Sequence, residues 1–204
     1  MKAPDIRLKS TRVTIRPLVR QDLRTMAKWP RFEDPLYQLF DWPKRSSASD
    51  DLWYHQLMRD RARVYYAVED EFNELIGRIS LREIEGQKSA RLGIGFSPQV
   101  VGRGYGTEAL QTFLEHYFVD LGFQRMVLDV AAVNRRAVRC YERCGFRREG
   151  SRYQYAGSDD DLFFLEDHAY RHLRQYFRRE SYRNSVLAYD MVLDAKDWLL
   201  HSQT

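Results

Sequence analysis

The chain reads as an α/β protein, and three features of its 204 residues say so. Strand and helix signals alternate from Arg91 to Gly145, and a glycine-rich turn joins one of those strands to one of those helices. Just upstream, two β-rich runs are separated only by a polar turn. No repeat, low-complexity tract or linker cuts the chain, so one domain over 1–204 is expected.

Taken in order, Arg12 to Leu18 alternates through Val13 and Ile15 as a strand, with Pro17 near its end, and Gln21 to Lys28 is polar and helix-like. Residues 29–48 mix Trp29, Phe32, Tyr37, Phe40 and Trp42 with Pro30, Pro35 and Pro43, which predicts irregular backbone with one or two helical turns at most. Ser49 and Asp50 can cap a helix running to about Arg61. Arg63–Val68 and Leu75–Ile84 pair naturally as a hairpin. In the next strand, Arg91 to Phe96, the side chains of Leu92, Ile94 and Phe96 point one way, while Gly93 and Gly95 leave the other face bare. Paired glycines there predict a bulge or a close neighbour, a tightly packed helix being one explanation. Tyr105–Leu121 is a helix with an apolar stripe of Ala109, Leu110, Phe113, Leu114 and Tyr117, ended by Gly122. Met126–Ala132 is a strand, and Asn134–Cys144 a helix stopped by Gly145.

Composition excludes several classes. With 44% hydrophobic and 30% charged residues the chain is globular rather than disordered. No apolar run approaches the roughly 20 residues of a membrane span, and the start MKAPDIRLKSTRVTIRP lacks the marks of a secretory signal, so a cytoplasmic location is expected. Cys140 and Cys144 lie four apart in a predicted helix, where geometry disfavours a bridge, and both are expected reduced. A net charge of +4, spread along the chain, gives no reason to expect nucleic acid. His168 and His172 stand four apart without a Glu-rich or Cys-rich context, which reads as a helix face, so no metal is expected.

The stretch QVVGRGYGTEAL (99–110) follows a strand and opens a helix. Three glycines at alternate positions allow a sharp turn that presents successive N–H groups, and the helix N-terminus adds about half a positive charge, so an anion belongs there. It is neither a P-loop nor the dinucleotide fingerprint. Gln99, Gly102 and Gly104 match Gln/Arg-x-x-Gly-x-Gly/Ala. A second block, Asn-x-x-Ala-x-x-x-Tyr-x-x-x-Gly-Phe, is matched at Asn134, Ala137, Tyr141, Gly145 and Phe146. Together these resemble the GNAT superfamily of acyl-CoA-dependent N-acetyltransferases. The opening TRVTIRPLVRQDL and the closing LAYDMVLDAKDW resemble the branch that holds ribosomal-protein N-terminal and small-amine acetyltransferases.

That resemblance implies a mixed, mostly antiparallel sheet of six to seven strands flanked by helices. The sheet would split between the fourth and fifth strands to admit the pantetheine arm of acetyl-CoA. It implies that the amides of Val100, Val101, Gly102, Arg103, Gly104, Tyr105, Gly106 and Thr107 face the pyrophosphate, Arg103 adding a charge. Asn134, also a good N-cap, would bond near the pantetheine, and Phe96 or a neighbour would polarise the thioester carbonyl. Tyr141 resembles the general acid that protonates departing coenzyme A; the alternative is a core aromatic with a satisfied hydroxyl. Asp129 and Glu83 are the candidate bases for the incoming ammonium, and a salt-bridged carboxylate is the alternative for each. A covalent role for Cys140 is the lesser reading. A non-catalytic acyl-CoA-binding or sensory module on the same fold is the rival to an enzyme.

Residues 157–185 look long for the family's last connection. Leu162, Leu165, Ala169, Leu173 and Tyr176 step by three and four, which predicts an amphipathic helix. Asp159, Asp160 and Asp161 would cap its start, or else attract a cationic amine to an adjoining groove. A dimer contact through Phe163, Phe164 and Tyr170 is compatible with either.

Overall fold

A computed structural model of the protein describes residues 6–43, 46–60, 62–180 and 183–201. Among these, the strands are β1 (Leu8–Lys9), β2 (Thr14–Pro17), β3 (Val64–Glu69), β4 (Leu75–Glu85), β5 (Ser89–Phe96), β6 (Arg125–Ala131), β7 (Arg147–Tyr155), β8 (Phe177–Glu180) and β9 (Arg183–Asp194). They form one nine-stranded sheet in the order β1-β2-β3-β4-β5-β6-β9-β7, with β8 also pairing to β9. That is more than the six to seven expected; the two-residue β1 and four-residue β8 are among the short strands that extend the sheet.

Every pairing is antiparallel except β5 with β6, which is parallel and spans only Ser89↔Arg125 to Arg91↔Val127. Beyond that point Leu92–Phe96 and Leu128–Ala131 diverge. This is the expected split, opened at the end of β5 that leads into the glycine turn.

Alternation along each strand sends residues to two different layers. On one face, Ile79, Leu81, Leu92, Met126 and Leu128 pack under α4 (Tyr105–Glu115) and α5 (Arg135–Arg143) in the main core. The predicted stripe of Ala109, Leu110, Phe113 and Leu114 is fully buried there. The helix ends in a π turn, His116–Asp120, and Tyr117 stacks on Phe123 with ring centroids 4.3 Å apart.

The other face carries two separate clusters. Leu18, Leu23, Met26 and Ala67 pack with Trp29, Trp42, Trp53 and Tyr65, joining α1 (Arg20–Met26) and α3 (Ser47–Arg59) to β3. Arg16 binds this corner together, donating to Asp22 at 2.7 and 2.8 Å and to Glu69 at 2.7 Å. The second cluster joins Leu36 of α2 (Pro35–Gln38) to Ala131, Val133, Leu162, Phe164, Leu165, Leu173 and Phe177. Between the two clusters runs an uncovered strip of β4, β5 and β6 that contains Gly93 and Gly95. A Cβ on Gly93 would lie 2.5 Å from Ser80 Oγ, so the close neighbour there is the adjacent strand, not a helix.

The connection between β7 and β9 differs from its sequence reading. Instead of one α-helix it forms two 3₁₀ segments, Asp160–Glu166 and His168–Tyr176, broken at Asp167, which caps the second by accepting from the Ala169 amide at 2.9 Å. Three residues per turn aligns Leu162 with Leu165 over the sheet without needing Ala169, which is exposed. Asp159 accepts from Asn184 Nδ2 and Asp161 from the Ser158 amide and hydroxyl, each at 2.7 Å, so neither is the side-chain cap expected of the helix start. Phe164 is buried against Tyr170 and Phe177, which removes it from any surface contact, whereas Phe163 is 74% exposed.

Candidate active site

The split in the sheet opens into a cleft of about 780 Å³. Its floor and rim come from Ile94, Gly95 and Phe96 of β5, Val100 to Gly102, Gly104, Gly106 and Thr107 of the turn, Asp129 to Ala131 of β6, and one side of α5. Gly102 (φ 86°) and Gly104 (φ 89°) are left-handed, a conformation that a side chain would strain. Among the described residues the amides of Gly102, Gly104, Tyr105 and Gly106 donate to no protein acceptor. A turn whose N–H groups are free where it opens a helix suits a phosphate. Nothing lies within 4 Å of where a Gly102 Cβ would sit, so the approach is open.

Three of the expected amides are used within the turn, Val100 donating to the Ser97 carbonyl at 3.1 Å, Arg103 to that of Val100 at 3.3 Å and Thr107 to that of Gly104 at 3.1 Å. The side chains of Gln99, Arg103 and Tyr105 lie outside the cleft wall. Gln99 is exposed and outside the cleft. The Arg103 carbonyl accepts from Arg12 Nη1 at 3.1 Å, and its side chain is not part of the cleft wall. The Tyr105 hydroxyl donates to Glu71 at 2.9 Å, and its ring lies under the Arg12 guanidinium. The Arg103 carbonyl and the Tyr105 side chain tie the turn to Arg12 and Glu71 from outside the cleft.

Asn134 caps α5, its Oδ1 accepting from the Ala137 amide at 3.2 Å, and it lines the cleft. Two turns on, Tyr141 reaches the same cleft with its ring on Phe146, centroids 5.9 Å apart. Burial, with the nearby Cys140 and Asp129 charges, pushes its hydroxyl above the ordinary tyrosine range. It therefore remains a proton donor throughout the neutral range. Cys140 lines the cleft beside Thr107, 3.3 Å from its hydroxyl, and both cysteines are free thiols. Hydrogen bonds from Cys144 and Thr107 draw the Cys140 thiol down, and the same contact pushes Cys144 up.

Of the two candidate bases, the structure brings only Asp129 to the cleft. Arg82 and Arg91 donate to its Oδ1 at 3.1 and 3.2 Å, and Arg152 stands 3.6 Å from the same oxygen. Among the described residues nothing hydrogen-bonds Oδ2. Glu83 lies in the bulge of β4 with φ 52°, 59% exposed and paired with Arg91 at 2.6 Å. The hydrogen bond from Arg91 holds its carboxyl below the usual range, so it is charged but away from the reacting centre.

Comparison with known proteins settles the family. A family model described as an acetyltransferase (GNAT) domain matches residues 12–147. The chain belongs to the GNAT acetyltransferase family. It is 31% identical over 142 residues to a spermidine N(1)-acetyltransferase of Vibrio cholerae, covering 69% of this chain and 82% of that one. It is 27% identical over 139 residues to the Escherichia coli K12 protein of the same description, covering 68% and 74%. The crystal structure of the Vibrio cholerae spermidine N-acetyltransferase in complex with CoA and spermine superimposes with a TM-score of 0.67 at 26% identity, over 92% of this chain and 98% of that one. The chain is thus an N-acetyltransferase that transfers an acetyl group from acetyl-CoA to a primary amine.

The GNAT signatures leave one wall of the cleft unannounced. Phe32, Tyr37 and Phe40, from the irregular aromatic segment, face α5 across the cleft. The Arg136 guanidinium lies over both Phe32 and Tyr37, 5.3 and 4.4 Å from their ring centroids. The only sequence signal was the density of aromatics between positions 29 and 42. Arg136 occupies an unspecified position of the second motif, so nothing in the motif marked it. Gln154, on β7, completes the wall.

Proposed function

We propose that this enzyme acetylates a small primary amine by direct attack within a ternary complex, with Tyr141 as the proton donor to the departing thiolate and Asp129 as the group that receives the ammonium. The observation that carries this reading is that the phosphate-ready turn, Tyr141 and Asp129 line one cleft, and among the described residues nothing hydrogen-bonds Asp129 Oδ2. Acetyl-CoA supplies an acetyl thioester activated toward amines. Its pyrophosphate fits the unpaired amides of Gly102, Gly104, Tyr105 and Gly106, and its arm fits the gap where β5 and β6 part. Asn134 borders that gap, and the β5 backbone near Phe96 can donate to the thioester carbonyl, as an oxyanion donor does. The raised pKa of Tyr141 keeps its hydroxyl as a donor, and the leaving sulfur gains a hydrogen bond as its charge develops. Asp129 Oδ2 accepts from the incoming ammonium while the arginines hold Oδ1.

The acceptor approaches over the uncovered strip, between the α1–α3 corner and the cluster that packs α2 on the 3₁₀ connection. The relatives' substrate supports a small amine over a protein terminus. Free thiols at Cys140 and Cys144 suit the reducing cytoplasm, where we place the enzyme. The test is an acetyl-CoA-dependent activity screen across polyamines, aminoglycosides, amino acids and peptide N-termini, with CoA affinity measured alongside. Turnover of a small amine supports the proposal. CoA binding with no turnover on any amine would instead favour the non-catalytic binding module.

A further inference from the structure

The charges in the cleft do not suit a polycation. The carboxylate lining it is Asp129, and the cationic side chains are Arg135, Arg136, Arg139 and Arg143. A polyamine has several ammonium groups to satisfy, and among the described residues the cleft wall provides one carboxylate, already shared by three guanidiniums. Two groups in the wall are incompletely used. Among the described residues nothing hydrogen-bonds the second oxygen of Asp129. Arg136 is half-buried between Phe32 and Tyr37, and among the described residues its guanidinium makes no ion pair and no hydrogen bond. The nearby carboxylate of Asp34 accepts through Oδ1 from the Leu36 amide and the Tyr170 hydroxyl at 2.9 and 3.0 Å, and it is not among the residues lining the cleft. A guanidinium stacked on aromatic faces keeps its N–H edge available, and that edge matches a carboxylate or phosphate. Burial lowers the Arg136 pKa, as expected for a cation with no close partner.

We propose that the acceptor is a small amine that also bears an acidic group, its ammonium on Asp129 Oδ2 and its carboxylate or phosphate on Arg136. This rests on the acetyl-transfer reading above and adds the substrate class to it. Arg136 is then a specificity residue, and the aromatic segment serves to hold its guanidinium edge toward the cleft.

The experiment uses the whole enzyme and matched acceptors: ω-amino acids of two to six carbons, the diamines of the same lengths and the corresponding alkylamines. The parent is expected to favour one of the amino acids in kcat/KM over its diamine and alkylamine counterparts. Arg136→Gln should lower the ratio of kcat/KM for that acid to kcat/KM for its alkylamine by about 10- to 100-fold, mostly through KM, the usual scale for a lost hydrogen bond to a charged group. Arg136→Lys should recover part of it, and CoA affinity by calorimetry should stay within about threefold of the parent in both variants. A parent that prefers diamines over the acids overturns the proposal and leaves acetyl transfer standing. So does an Arg136→Gln variant that loses CoA affinity and slows all acceptors equally, because the guanidinium is then a cofactor group. Tight CoA binding with no acetylation of any acceptor overturns both readings at once.

Discussion

Replacing Tyr141 with phenylalanine removes one oxygen and leaves the ring in place. The ring packs on Phe146, and no described residue hydrogen-bonds the hydroxyl, so little folding energy depends on that oxygen. Stability should change by less than about 0.5 kcal/mol, a shift in Tm of roughly 2 °C or less for a domain of this size. Catalysis should suffer far more. A lost proton donor typically costs about two to four orders of magnitude in kcat, or about 2.7–5.4 kcal/mol of transition-state stabilisation. CoA affinity should hold, since the turn that faces the pyrophosphate is untouched. The assay is CoA release followed with a thiol reagent, with thermal unfolding and calorimetry on the same preparations. A kcat within a few-fold of the parent would refute the role, provided single-turnover rates show that chemistry limits turnover. A loss of activity matched by a large fall in Tm would also refute it, because the hydroxyl would then be structural.

Gly104→Val should abolish CoA binding by calorimetry. It should also lower stability by about 2 kcal/mol or more, because φ at that position is 89° and an added Cβ would press on Arg12 Nη2 at 3.1 Å. Asn134→Ala should cost about 1 kcal/mol through the lost cap, read as a fall of roughly 2–4 °C in Tm. Asp129→Asn should raise KM for the amine and slow turnover about a hundredfold, with CoA affinity preserved; unchanged kinetics would shift proton removal to solvent. Burial raises the folded-state pKa of Tyr66 to about 12 and pushes Tyr117 and Tyr141 higher still, above the unfolded value near 10. Above pH 10 the unfolded chain therefore ionises first, so the stability these groups contribute is complete below about pH 10 and falls as pH rises beyond it. Denaturant midpoints that stay flat from pH 9 to 11 would contradict that burial.

The sequence by itself determined the class, the run of elements from β2 to α5, and the glycine turn between β5 and α4. Those features are local: the period of apolar residues, a cap at Asn134, left-handed glycines at 102 and 104, and two short motifs with fixed spacing. What tertiary structure decided depends on which residues far apart in the chain come together. Asp129 looked like either a base or an ion pair until β4, β5 and β7 brought Arg82, Arg91 and Arg152 to one of its oxygens. Glu83 was an equal candidate until the bulge in β4 turned it out of the cleft. The apolar stripe at 162–176 steps by three and four, which suits an α-helix or 3₁₀ turns; in the fold it forms two 3₁₀ segments whose Leu162, Leu165 and Leu173 pack with Leu36, Ala131 and Val133. The aromatic segment has no period to read, because its rings are arranged around Arg136 and the cleft and not along a helix or strand axis. Local periodicity encodes which face of an element is buried; the partner across a cleft, a hundred residues away, leaves no mark in the pattern of either segment.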